Sequence, residues 1–200
     1  MSDDPLAPYI PRPDARERFS LVVRAPAHVV YGVATTFDMQ SVPLVRGIIR
    51  VRERLLGGRA RPRVSTAFLD ELRSLGWACL LERPGHIVIG GASCQPWLAD
   101  VVFVPVPGAF QTYAEPGRVK IAWTLETIAD GPERTVLATE TRVVATDPAA
   151  RARFLRYWRW ARFGIVPIRW LLLPAIRAAA ERAWQAGSDS ASGGASSAPG

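Results

Sequence analysis

Two hundred residues, 48 % of them hydrophobic with a mean hydropathy of +0.07, suffice for one domain with a real core and exclude a disordered or fibrous chain. Two cysteines and two histidines (Cys79, Cys94, His28, His86) exclude a framework of disulfides and leave no set at metal-ligand spacing, so no metal and no cofactor is expected. The net charge of +7 is uneven: residues 46–63 carry seven arginines against Glu53, residues 151–182 carry eight against Glu181, and the remainder is acidic.

Four prolines among residues 1–16 read as an extended N-terminal arm. No basic, then apolar leader precedes it, and the longest apolar run, Phe163 to Ile176, is interrupted by Arg169, Pro167 and Pro174. A cytoplasmic location is the expectation. Residues 17–25 read as a first strand, and Pro26 opens a short helix to Asp38 with Val29, Val30, Val33 and Phe37 on one side. A second helical stretch covers about 42–56 and ends at Gly57-Gly58. Residues 68–75 fit either one or two helical turns or the entry to a strand. Strands at 77–82 and 87–94 flank the turn Arg83-Pro84-Gly85-His86, and Gly90-Gly91 within the second marks a bulge or a close backbone approach. Cys79 and Cys94 sit in this apolar text and are expected as buried thiols.

Residues 119–127 alternate strictly, with Val119, Ile121, Trp123 and Leu125 on one face. The turn cluster 129–134 leads to a second strand at 136–144. Asp147 is placed to cap a helix that Pro148 begins, and Phe154, Trp158, Ala161 and Ile165 form its core-facing stripe. Bends are expected near Pro167 and Pro174. Residues 187–200 have the composition of a disordered tail. Helices and strands segregate along the chain, the pattern of an α+β fold.

Three segments, LGWACLLERPGHIVIGGASCQPW (75–97), FQTYAEPGRVKIAW (110–123) and LATETRVVATDPAARARFLRYWR (137–159), together with this element order, resemble the START-like superfamily, also called SRPBCC or helix-grip proteins, and specifically an uncharacterised bacterial branch of it. The likeness covers residues 17–186. It implies a curved antiparallel sheet wrapped around a long C-terminal helix, with a cavity between them for a lipid, polyketide-like or other apolar molecule. No catalytic motif comes with it, and a fold does not fix a function.

The cavity candidates are Trp97, Tyr113, Ile121, Trp123, Leu125, Glu140, Arg142, Phe154 and Trp158. A four-residue hairpin loop, 130–133, would set Trp123 opposite Glu140 and Ile121 opposite Arg142, giving the cavity a carboxylate and a guanidinium as a polar anchor. A register shifted by one would put Thr139, Thr141 and Val143 inside and both charges in solvent. Binding or carriage of a small hydrophobic molecule is the first functional reading. A cyclase, dehydratase or hydrolase using Glu140, Arg142, Tyr113 or His86 is the second. The third is a peripheral protein whose basic helix, with the apolar run Trp170–Leu173, meets an anionic membrane or an acidic partner. Trp97, Tyr113, Trp123, Tyr157 and Trp158 also suit plain core, His28 and His86 suit exposed turns, and Asp70-Glu71 suits ordinary surface. The arginines of the last helix suit its solvated face, so nucleic acid is not expected as a partner.

Overall fold

Alternation at period two gives strands only where a neighbour takes up the edges, and one antiparallel sheet accounts for every strand among the described residues. The computed structural model describes residues 4–38, 67–98, 100–106 and 108–194, and within them every side chain except those of 164–169 and 189–194. The elements run β1 (Ala15–Val23), α1 (Ala27–Thr36), α2 (Phe68–Ser74), β2 (Ala78–Arg83), β3 (Ile87–Cys94), β4 (Val104–Pro105), β5 (Val119–Ala129), β6 (Thr135–Ala145) and α3 (Pro148–Gly194). The expected helix at 42–56 and the basic run 46–63 lie outside the described residues. The sheet order is β1-β6-β5-β3-β2, with the short β4 pairing with β3 beyond the end of β2. The stretch at 68–75, open from sequence, is helical.

The hairpin β5–β6 fixes which side chains share a face. Ala129 pairs with Thr135, and the ladder places Trp123 opposite Thr141, Thr124 opposite Glu140, and Ala122 opposite Arg142. The four-residue loop is therefore corrected to five residues, 130–134. Asp130 N–H donates to the Arg134 carbonyl at 2.8 Å, their side chains pair at 2.5 Å, and Gly131 takes a φ of +122° that few other residues adopt. That single added residue moves Glu140 and Arg142 to the face opposite Trp123.

The helix face of the sheet carries two apolar clusters. Phe154, with Trp158 and Tyr157 beside it, packs on Cys94, Val119 and Val143 near the start of α3. Leu173, Ile176 and Ala180 pack on Val23, Val88, Trp123, Leu125 and Leu137, with Val30 and Ala34 of α1 alongside. The helix begins as its sequence demands: Asp147 Oδ1 accepts from Ala150 N–H at 2.8 Å while Oδ2 accepts from Gly117 N–H. These backbone donors hold the Asp147 carboxyl below its usual range. The helix continues through Pro167 and Pro174 to Gly194, past the expected start of a disordered tail at Gly187. A curved antiparallel sheet closed on one long C-terminal helix is a helix-grip fold.

The opposite face of the sheet is also covered, by the N-terminal arm. Residues 5–9 form tight turns rather than an extended strap, with Tyr9 and Ile10 N–H groups donating to the Leu6 carbonyl. Leu6 and Ile10 pack with Ile87, Ile89, Val106, Phe110 and Ala122 in a third cluster. Under this arm lies a charged network. Arg142 Nε donates to Glu140 Oε1 at 2.6 Å, Nη2 to both Asp4 oxygens at 2.6 Å, and Nη1 to the Ile10 carbonyl at 3.1 Å. Arg16 Nε lies 2.8 Å from Glu140 Oε1, and Arg18 Nη1 lies 3.4 Å from Oε2. Lys120 is buried on the same face, donating to the carbonyls of Phe110 and Gln111, and its burial pushes the ammonium pKa down.

Candidate functional site

The part of the helix face nearest α2 is built from aromatic rings placed by two glycines. Helix α2 ends in a Schellman motif: Trp77 N–H donates to the Leu72 carbonyl and Gly76 N–H to the Arg73 carbonyl, each at 3.1 Å. Gly76, with φ +95°, is the left-handed residue this requires, and a Cβ there would also strike the Phe103 carbonyl. The turn delivers the Trp77 ring over Phe103, 4.9 Å between centroids, and edge-on to Trp123 at 6.4 Å. Gly90 faces Trp123 across the β3–β5 ladder, and a Cβ on it would lie 2.5 Å from the indole. The missing side chain lets that ring lie against the β3 backbone, and Phe68 of α2 packs edge-on over it at 5.5 Å.

Trp123 is 9 % exposed, and its Nε1–H is buried with no hydrogen-bond partner among the described residues. Native structures leave few buried donors unpaired, because each costs about 1–3 kcal/mol. The recess beside it, between α2 and the β2–β3 edge, is lined by Leu69, Leu72, Trp77, Cys79, Val88 and Gly90 and holds about 20 Å³. That is room for one water-sized group. Next to the rim residues Arg73 and Cys79, Tyr31 Oη donates to Glu82 Oε1 at 3.2 Å, and Arg73 Nη2 lies 3.8 Å from Glu82 Oε2. Burial and the Glu82 charge push Tyr31 up to about 12 and raise the Cys79 thiol as well. Both side chains therefore stay protonated at neutral pH and act as weak donors rather than nucleophiles. Cys79 is exposed at this rim, a correction to the expected buried thiol; Cys94 is buried.

The sequence candidates divide between the two faces. Trp123 and Leu125 lie beside the recess or the cluster next to it, and Trp97, Ile121, Phe154 and Trp158 pack together near the start of α3. Three are corrected. Glu140 and Arg142 sit on the outer face, and Tyr113 packs there too, its hydroxyl donating to Glu115 at 2.6 Å. The shifted register alone would have put Glu140 and Arg142 in solvent; the arm buries them instead. His86 is exposed in its turn, so the acid–base candidates Glu140, Arg142, Tyr113 and His86 are not brought together on the helix face. Phe68, Trp77, Leu72 and Tyr31 were missed as site residues. The Gly76-Trp77 pair following an apolar helical stretch was the available signal for Trp77.

No protein-family model matches this chain, and no curated protein matches it. Among solved structures it is similar to DR_A0006 from Deinococcus radiodurans, at 14 % identity over 75 % of this chain and 99 % of that chain, with a TM-score of 0.30. CalU16 from Micromonospora echinospora is 12 % identical over 86 % of each chain, also at 0.30. The Zhui aromatase/cyclase from Streptomyces sp. R1128 is 13 % identical over 84 % of this chain and 94 % of that one, at 0.28. Overlaps this slight decide nothing about function. The fold rests on the strand order and on the helix seated across the sheet.

Proposed function

We propose that this protein binds a small, mostly apolar molecule bearing a hydrogen-bond acceptor, on the helix face of the sheet beside α2. The observation that carries the reading is the buried, unpartnered Trp123 Nε1–H inside a ring of aromatic and aliphatic side chains. An apolar site with one or two convergent polar groups is the usual make-up of a small-molecule site. Here the indole supplies the directional donor, and Phe68, Trp77, Leu69 and Leu72 supply the apolar contact. The recess of about 20 Å³ fits the acceptor atom alone. A whole ligand needs some hundreds of Å³, so binding displaces α2, which meets the sheet through side chains such as Phe68. A lipid or polyketide-like ligand, the class the superfamily resemblance implies, has the required carbonyl or carboxyl oxygen on an apolar body.

Native mass spectrometry of protein isolated from its own host, with titrations of oleate and of a polycyclic aromatic quinone, tests this. A bound or exchangeable hydrophobe is expected. Trp123→Phe keeps a ring in place and deletes the donor, and it should weaken binding by roughly two- to tenfold, the worth of one hydrogen bond. No co-purifying hydrophobe and no binding of either probe would remove the proposal.

A further inference from the structure

We propose that the middle of α3 is a docking surface for an anionic lipid bilayer. The helix carries two apolar stripes and the fold uses one of them. Phe154, Leu173, Ile176 and Ala180 are buried against the sheet. Trp160, Phe163 and Trp170 are 70 %, 68 % and 68 % exposed. At 3.6 residues per turn these three fall within an arc of about 80°, so they form a single, largely exposed stripe. Scattered exposed apolar side chains are ordinary, but three large aromatics on one stripe mark an interaction site.

The charge around the stripe names the occupant. Arg153, Arg156, Arg159 and Arg162 are exposed beside it. The Arg159 guanidinium lies 5.7 Å from the Trp160 ring and that of Arg162 lies 5.1 Å from the Phe163 ring. No aspartate or glutamate occurs from Pro148 to Ala180. Indoles and a phenyl ring flanked by guanidinium groups suit the headgroup and acyl boundary of a bilayer, where the rings enter the apolar zone and the cations meet lipid phosphates. A second copy of the chain would set arginines against arginines. A nucleic acid is a poorer fit, because the surface is the convex side of a helix with no groove to follow a backbone. Among the described residues no helix is long and apolar enough to cross a membrane, so α3 lies in the plane of the surface. Trp170 also packs edge-on against Phe19 of β1, 6.2 Å between centroids, which sets the docked face beside the β1 edge of the sheet.

Flotation with vesicles of phosphatidylcholine alone, and with equal parts phosphatidylglycerol, tests the surface on the full chain. The protein is expected to float with the anionic vesicles at low salt and to stay in solution with the neutral ones. Trp160→Ser/Phe163→Ser should lower the bound fraction on the order of tenfold, and Arg153→Gln/Arg156→Gln/Arg159→Gln should do the same, each with an unchanged melting curve. Absence of flotation at low salt would overturn the proposal. So would full binding by the serine variant, which would mean charge adhesion alone, or tighter binding to a single-stranded oligonucleotide than to the vesicles.

Discussion

Arg142→Ala is expected to destabilise the fold by about 3–5 kcal/mol, the usual cost of removing one partner from a buried ionic network. Arg142 and Glu140 are each 2 % exposed, and Arg142 alone joins Glu140, Asp4 and the Ile10 carbonyl. Its loss leaves Glu140 buried with only the half-exposed Arg16 and Arg18, and it releases the arm whose Leu6 and Ile10 cover the outer face. The double variant Glu140→Leu/Arg142→Met should recover most of that stability, because apolar side chains of similar size need no counter-charge. Urea midpoints of the two variants check this; a loss below about 1 kcal/mol for Arg142→Ala would mean the network is not holding the arm. Acid should act in the same direction. Burial opposes ionisation of Asp4, but hydrogen bonds and charge from Arg142, with help from Leu6 N–H and Arg16, outweigh it and hold the carboxyl below its usual value. The stability this contributes is present above an unfolded value of about 3.9 and is lost as pH falls through the folded one.

Gly90→Val is the second large effect, expected to cost about 1–3 kcal/mol or more through overpacking. The new Cβ would meet the Trp123 ring at 2.5 Å, and that ring is boxed in by Phe68 and Trp77. Valine suits a strand better than glycine does by local preference, so a destabilised Gly90→Val would report the ring contact and not the backbone. Thermal melts check it, and a variant as stable as the parent would show that the indole has room to move.

Much of this architecture was legible in the sequence because it rests on local rules. Alternation from Val119 gave β5, the Asp147-Pro148 pair gave the start of α3, and Gly90-Gly91 flagged a close approach that Trp123 and, on the other face, Leu80 and Phe110 now explain. The hairpin register was not legible, because it turns on one loop residue whose placement depends on Gly131 and on the Asp130–Arg134 pairing. The fate of Glu140 and Arg142 was hidden for a different reason. In a proline-rich start, one apolar pair four apart, Leu6 and Ile10, is too short a run to set a strand or helix period, so nothing local shows that it folds back over the sheet. The spacing of Phe154 and Trp158 predicts a single core stripe with the arginines on the remaining face. In the structure Trp160 and Phe163 share the arginine side, because the sheet takes up only one face of the helix, which Phe154 before them and Leu173, Ile176 and Ala180 after them fill.

The claim that the buried indole N–H of Trp123 is a ligand donor is tested most directly by its own proton resonance. In a nitrogen-correlated spectrum the Trp123 Nε1–H signal, assigned by its absence from Trp123→Phe, should move downfield as the bound probe, oleate or the quinone, is titrated to saturation. An unmoved Trp123 signal at saturation, with shifts confined to Trp160 and Trp170, would contradict it.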